Sequence, residues 1–442
     1  MILRDISPLL QGLLFGSQYP SNLAASDFAP NCPIDLPFSC TNDTSISDLC
    51  CFEYPGGILL QTQFWNYAPS KPNLNQTELE EELGPISSFT IHGLWPDDCS
   101  GGYPQFCRRN LFIDDVYYLL KSKELNGDDP SLPISGEDLL EKLDTYWKSN
   151  NGNHESLWIH EYNKHGTCLS TLQPNCYKRW AGVDNNEANL SDQYYKKRAV
   201  YDYFRVSYDL FAKLDSYKML EKHGISPSNT TSYSKAEILQ ALSSEFDGVE
   251  AHINCDSKNA LTEIWYYHHL KGSILDEQFQ PIPSLKSFSR CKDEGIKYYP
   301  KGYNPRRNYP PGKKPALRGT LRVSDYGGFL IKNGKWMTKG TPANFELIKA
   351  AFGNFYLKSR NGFCSVKDEN SNELVCRGRS QQLATQFEYD EETGLIGYSG
   401  SFEWATDKYP KNSRTRRESI FSVSNGQNKE LKYKFKLRFN KR

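Results

Sequence analysis

Two short stretches decide how this sequence folds and what it can do: Phe89-Thr90-Ile91-His92-Gly93-Leu94-Trp95-Pro96-Asp97 and Leu157-Trp158-Ile159-His160-Glu161-Tyr162-Asn163-Lys164-His165-Gly166-Thr167-Cys168. The first reads as a buried strand carrying one histidine and stopping at Pro96, which has no N–H to give a ladder. By itself it says little, because a lone strand histidine is more often a hydrogen-bonded core residue than a catalyst. The second says more. At about 100° per residue a helix stacks His160 over Lys164 and Glu161 over His165, gathering four ionisable groups within an arc of about 140°. A solvated helix face can carry such residues, but Trp158, Ile159, Gly166 and Cys168 around them argue for a buried, constrained cluster. The His160-Glu161 pair echoes the His-Glu-x-x-His zinc helix, yet the second histidine comes one residue late and Lys164 puts a positive charge where the cation would sit. No metal and no other cofactor is expected.

Working outward, Gly57-Ile58-Leu59-Leu60-Gln61-Thr62-Gln63-Phe64-Trp65 and 88–95 read as buried strands, while 136–149, 194–222 and 234–246 have helical spacing. The region is α+β. Charge then separates the chain: residues 1–294 hold about 24 Lys and Arg against 40 Asp and Glu, residues 295–318 hold 7 against none, and 319–442 hold 22 against 13. The middle segment, rich in Pro and Tyr, reads as a basic linker. Four units follow: 1–29, a signal or pro segment; 30–294, a catalytic domain; 295–318, the linker; and 319–442, a smaller, basic, mainly β extension. That extension has short alternating runs, the last being Leu431-Lys432-Tyr433-Lys434-Phe435-Lys436-Leu437-Arg438-Phe439, apolar on one face and basic on the other.

The 12 cysteines and the sequons at Asn42, Asn75, Asn189 and Asn229 point to an oxidising, glycosylating compartment. Cys-x-x-Cys pairs are missing, so disulfides are favoured over metal, and adjacent Cys50 and Cys51 must reach separate partners. Cys364 and Cys376 lie beyond the linker and can close a bridge of their own. A signal peptide is expected at the start, although Ile6–Phe15 with its proline is a poor hydrophobic core and Ala24-Ala25-Ser26 an uncertain cleavage site. No run of eighteen apolar residues spans a membrane.

Together the two stretches resemble the two active-site segments of the ribonuclease T2 family. The likeness covers about residues 30–295, and the whole chain is similar to the yeast-type vacuolar members that carry a carboxy-terminal extension. The resemblance implies a T2-type catalytic domain with a disulfide-rich core and the bridges Cys32–Cys51, Cys40–Cys99, Cys50–Cys176, Cys107–Cys168 and Cys255–Cys291. It implies an endoribonuclease, a cyclising phosphodiester lyase, acting on single-stranded RNA such as transfer or ribosomal RNA and not on DNA.

RNA carries its own nucleophile, so cleavage to a 2′,3′-cyclic phosphate needs one group to take the 2′-hydroxyl proton and another to protonate the departing 5′-oxygen. Two histidines suffice in a mildly acidic compartment, because one can be neutral while the other is charged. By resemblance these are His92 and His165, with His165 the base of the first step and His92 the acid, an order the residues alone do not fix. Lys164 and Glu161 would stabilise the phosphorane and His160 would bind phosphate, unless Glu161 instead orients His165. Trp95, Asp97 and Tyr103 stand where fungal relatives have a first base pocket, and Gln63 matches a residue of a second. His154, His223, His252, His268 and His269 are assigned structural or surface places. The chain is expected to be a monomer of the secretory pathway and vacuole lumen, or outside the cell, or released to the cytoplasm under stress. The rival reading is a non-enzymatic stress or cell-wall protein working through its basic carboxy-terminal domain.

Overall fold

A computed structural model of the 442-residue chain describes residues 30–41, 47–70, 73–127, 131–149, 152–181, 192–286, 289–303, 316–350, 354–367, 371–379, 381, 384–411, 415–424 and 428–441. The proposed signal segment, Asn42 and Asn189 lie outside the described residues.

The catalytic domain is built on an antiparallel sheet. Its strands are β1 (Ile58–Phe64), β2 (Thr90–Asp97), β4 (His252–Cys255), β5 (Leu261–Lys271) and β6 (Gln278–Ile282), in the order β2-β1-β5-β4 with β6 also paired to β5. A small ladder joins β3 (Ser232–Tyr233) to β7 (Ile296–Lys297). The helices are α1 (Gln76–Leu83), α2 (Val116–Leu120), α3 (Gly136–Tyr146), α4 (His154–Lys164), α5 (Pro174–Trp180), α6 (Asp192–Lys213), α7 (Ser216–Lys222) and α8 (Lys235–Ser244). α6 crosses β1 and β2, so the sheet's inner face is sealed by Tyr203, Phe204 and Leu210 together with Trp147 and Trp158. The helical run 194–222 is two helices: Asp215 caps the backbone N–H of Lys218 and restarts the chain as α7.

β2 does not stop at Pro96. It continues to Asp97, with Pro96 opposite Leu59, because β2 is an edge strand and, among the described residues, no strand on its outer side needs a proline N–H. The disulfides Cys32–Cys51, Cys40–Cys99, Cys50–Cys176, Cys107–Cys168, Cys255–Cys291 and Cys364–Cys376 are all formed.

The first part of the expected linker is not a linker. Ile296 and Tyr298 are fully buried in the catalytic core, and Lys301 runs beneath Trp65, its Nζ donating to the Leu83 carbonyl at 2.6 Å. The tyrosines that suggested a linker are apolar surface that the core absorbs, Tyr299 and Tyr303 stacking at 4.1 Å. Residues 304–315 lie outside the described residues.

Among the described residues the carboxy-terminal domain is all β. Its strands are β8 (Leu317–Val323), β9 (Phe329–Leu330), β10 (Trp336–Met337), β11 (Phe345–Lys349), β12 (Phe355–Ser359), β13 (Gly362–Val366), β14 (Leu374–Gly378), β15 (Gln386–Tyr389), β16 (Leu395–Gly397), β17 (Glu403–Thr406), β18 (Phe421–Ser422) and β19 (Tyr433–Lys441). Antiparallel pairing runs β8-β11-β12-β15-β16-β19 and returns to β8, closing a barrel. Closure removes sheet edges. The alternation read in β19 is its inside and outside: Phe435, Leu437 and Phe439 fill the barrel, while Lys434, Lys436 and Arg438 face solvent.

Candidate active site

His92 owes its aim to an irregularity in β2. Thr62 of β1 pairs with Gly93 and Gln63 pairs with Ile91, so His92 is the extra residue of a β-bulge. A bulge turns a side chain out of the strict alternation. The backbone there is held firmly, the Trp147 indole donating to the His92 carbonyl at 3.0 Å and the Tyr203 hydroxyl to the Leu94 carbonyl at 3.2 Å. Phe64 stacks on the imidazole at 3.9 Å, and Trp95 meets it edge-on at 4.8 Å.

The facing element is α4. Asn153 caps it, accepting from the Ser156 N–H, and Asn163 ties it to both the N–H and the carbonyl of Ile113. The helix ends at Lys164, so His165 is its C-cap and Gly166–Cys168 turns away as a 3₁₀ turn. A Cβ on Gly166 would lie 2.6 Å from the Tyr162 ring. The expected arrangement holds in this geometry: Glu161 reaches His165 one turn on, with Nε2 4.0 Å from Oε2.

Glu161 lies between the two histidines. Its Oε1 is 3.8 Å from His92 Nε2, its Oε2 accepts the Trp95 indole N–H at 2.7 Å, and Trp95 stacks on His165 at 5.0 Å. Gly93 makes this approach available, since a Cβ there would stand 2.1 Å from Glu161 Oε2. One carboxyl group thus sits within 4.0 Å of an Nε2 atom of both imidazoles.

These groups are almost dry: exposure is 6% for His92, 1% for Glu161, 7% for Lys164 and 2% for His165. Burial raises the Glu161 carboxyl above its ordinary range, against the pull of His92 and Lys164. It holds His165 well below a free imidazole, and Lys164, His160 and His92 push the same way. His160 is likewise held well down by burial, then by Lys164. Lys164 is lowered by burial although Glu161, Glu388 and Asp97 draw it up. A neutral His165 beside a cationic lysine is competent to accept a proton.

The loop carrying Tyr103 is pinned to the end of α4. Phe106 N–H donates to the Lys164 carbonyl at 2.8 Å, Arg108 donates to the Thr167 carbonyl at 2.7 Å, and Cys107–Cys168 closes the junction. Lys164 Nζ lies 5.6 Å from the Tyr103 ring. Asp97 is 3% exposed and burial raises its carboxyl well above the usual range. Trp95 thus lies against both histidines, while Asp97 and Tyr103 lie near Lys164.

Gln63 is not part of this cleft. Its amide donates to the Leu214 carbonyl at 2.7 Å and to Gln61, and its oxygen accepts from Ser216 at 2.7 Å, locking β1 to the α6–α7 junction. Alternation explains the correction: Phe64, the next residue, faces His92, so Gln63 points into the opposite, helix-covered face. The other histidines make structural contacts, such as His154 bridging the Ser149 N–H and the Glu81 carbonyl, and His223 on Glu245.

Two features escaped the sequence reading. One is Glu263 of β5, whose Oε1 lies 2.9 Å from His92 Nδ1. Its only signal was a lone carboxylate early in a strand of apolar and aromatic residues. The other is the barrel, which reaches the site: Tyr103 donates to Glu388, Asn354 donates to the Tyr103 hydroxyl at 3.3 Å, and Gln386 Nε2 lies 3.4 Å from His160 Nε2.

Comparison with known proteins agrees with the geometry. Residues 56–291 match the ribonuclease T2 family and residues 313–436 match the RNase T2-like C-terminal domain. The chain is 66% identical over 442 residues to a ribonuclease T2-like protein of Candida glabrata, covering 100% of each, and 55% identical to one of Saccharomyces cerevisiae, covering 99% of each. Among solved structures, Actibind, a T2 ribonuclease, is 36% identical over 60% of this chain and 96% of its own, with a TM-score of 0.48. A full-length match to such relatives, over both domains, places the chain in the ribonuclease T2 family as an endoribonuclease acting on RNA.

Proposed function

We propose that the chain cleaves single-stranded RNA by metal-independent transesterification, His165 taking the proton of the 2′-hydroxyl and His92 protonating the departing 5′-oxygen. The carrying observation is the pair of imidazole Nε2 atoms standing either side of the Glu161 carboxyl, 3.8 and 4.0 Å from it, with Lys164 alongside. Burial favours a neutral His165, the state a base needs. Lys164 supplies the fixed positive charge that a phosphorane requires, His160 faces the same space, and Glu161 keeps a proton available to the pair. The 2′,3′-cyclic product is then hydrolysed to a 3′-phosphate with the two histidines exchanging roles.

Bases stack on Trp95 and Tyr103, with Asp97 reading an edge. The disulfides and the exposed sequon residues Asn75 and Asn229 favour the vacuole lumen or another secretory compartment, where transfer and ribosomal RNA are turned over.

The test is cleavage of a single-stranded RNA at about pH 5 in excess EDTA, comparing wild type with His92→Ala and His165→Ala and identifying the ends formed. Loss of about 10²- to 10⁴-fold in each variant, with 2′,3′-cyclic ends from the wild type, is expected. Cleavage abolished by EDTA, or undiminished in either variant, refutes the two-histidine reading.

A further inference from the structure

We infer that Glu263 is a positioning residue for His92, an inference that rests on the two-histidine reading above. The residue is opposite Phe64 in the β1–β5 ladder, so one strand pair delivers both the ring that stacks on His92 and the carboxylate that meets its Nδ1. Glu263 is 15% exposed at its side chain, and the 2.9 Å contact is short and largely screened from water. An acceptor at Nδ1 places the neutral ring's proton there and leaves Nε2, the nitrogen 3.8 Å from Glu161, for the reacting oxygen. His92 therefore has a carboxyl group on each side, Glu263 from β5 and Glu161 from α4, while His160 and His165, which burial holds neutral, are the other titratable groups that face it from α4. Glu263 also faces His252 from β4. The division of labour follows: Glu161 borders the reacting phosphate, while Glu263 fixes the tautomer and ring plane and steadies the imidazolium from behind.

Glu263→Ala is expected to lower kcat about 10- to 100-fold on a dinucleoside monophosphate with little change in KM. Glu263→Gln keeps an acceptor but no charge. It retains more of kcat than the alanine variant, and the alkaline limb of its kcat profile moves to lower pH. A merely structural role moves no limb and makes the two variants alike. Proton NMR of histidine-labelled protein gives an arm independent of turnover: the downfield Nδ1–H signal of His92 is present in wild type and missing in Glu263→Ala. Unchanged kcat, limbs and signal in folded variants overturn the inference; wild-type protein inert on RNA overturns the underlying reading instead, while the NMR arm still decides Glu263.

A different observation carries a second inference: the geometry points to strand β15 of the barrel as an occupant of the RNA cleft. Along β15, Phe387 and Tyr389 fill the barrel, so Gln386 and Glu388 share the opposite face, which lies on the catalytic domain. Gln386 sits against His160 and Glu388 holds the Tyr103 hydroxyl, the places proposed above for phosphate and base. The contact is made by more than β15 alone. Asn354, on the loop before β12, adds a third contact by donating to the Tyr103 hydroxyl at 3.3 Å. Both side chains of β15 therefore stand where substrate must lie, so RNA enters by displacing the barrel face that carries β15, and Gln386 and Glu388 decide which substrates do so.

In the full chain, Gln386→Ala/Glu388→Ala and Glu388→Arg, the latter setting a cation against Lys164, are expected to raise kcat/KM on polymeric RNA at least about tenfold. Unchanged or lower kcat/KM in folded variants overturns this, a fall showing instead that the strand binds substrate. Small-angle scattering of the wild type with a saturating 2′-deoxyoligonucleotide supplies a readout free of variants: expansion supports displacement, and an unchanged radius of gyration at full occupancy overturns it.

Discussion

Lys301 offers a stability prediction whose sign can be worked from the structure. Its side chain is 8% exposed beneath Trp65, its amine 5.1 Å from that ring and donating to the Leu83 carbonyl at 2.6 Å. Burial lowers the amine from 10.5 to about 7, against the weaker pull of Glu80. The folded chain therefore binds fewer protons than the unfolded chain between about pH 7 and 10.5, and stability rises with pH across that window. Below pH 7 the whole cost of burying the charge is present, about 3.5 units at 1.36 kcal/mol each, or roughly 5 kcal/mol. Lys301→Met removes that cost but strands the Leu83 carbonyl, which costs about 1–3 kcal/mol. The variant should be more stable than wild type at pH 5 by about 2–4 kcal/mol, and the advantage should shrink or reverse by pH 10. Urea titrations of both proteins at pH 5, 7 and 10, followed by circular dichroism, measure the difference. A variant less stable at pH 5, or a difference that does not change with pH, refutes the reasoning.

Three other outcomes follow from the same contacts. Glu161→Gln keeps the shape and the acceptor beside the Trp95 indole but loses the carboxyl that can give or take a proton between the histidines, and kcat should fall about 10²- to 10³-fold with the far-UV spectrum unchanged. Gly93→Ala drives a methyl into Glu161 Oε2, where a Cβ stands 2.1 Å away, so RNA cleavage should fall more steeply than the melting temperature. Asp202, 1% exposed, accepts from Arg198 at 2.9 Å, Arg205 at 3.1 Å and Tyr177 at 2.9 Å. Asp202→Ala leaves two buried guanidinium groups short of their partner and should cost about 3–5 kcal/mol in a urea titration at neutral pH, with the active-site contacts untouched.

The sequence by itself determined a good deal. The periodicities of 57–65, 88–95, 136–149 and 234–246 identified strands β1 and β2 and helices α3 and α8, because burial on one or both faces leaves a pattern along the chain. The i, i+4 spacing placed Glu161 against His165, a local relation that helix geometry fixes without knowledge of the fold. Family resemblance ordered the cysteines correctly and named His92, which its own strand did not distinguish from a core histidine.

Only the tertiary structure decided the rest, and in each case the cause is non-local. The bulge that aims His92 is a register shift between β1 and β2, visible only once both strands are paired. Glu263 meets His92 across 171 positions of chain, and Gln63 is withdrawn into the core by Leu214 and Ser216, about 150 positions away. Pro96 remains in a strand because that strand is at an edge, and Tyr298 becomes core because Trp65 and Phe89 are there to receive it. A strand's alternation states which residues share a face; the packed neighbours decide whether that face meets solvent, a core, or, as with Gln386 and Glu388, a catalytic site on another domain.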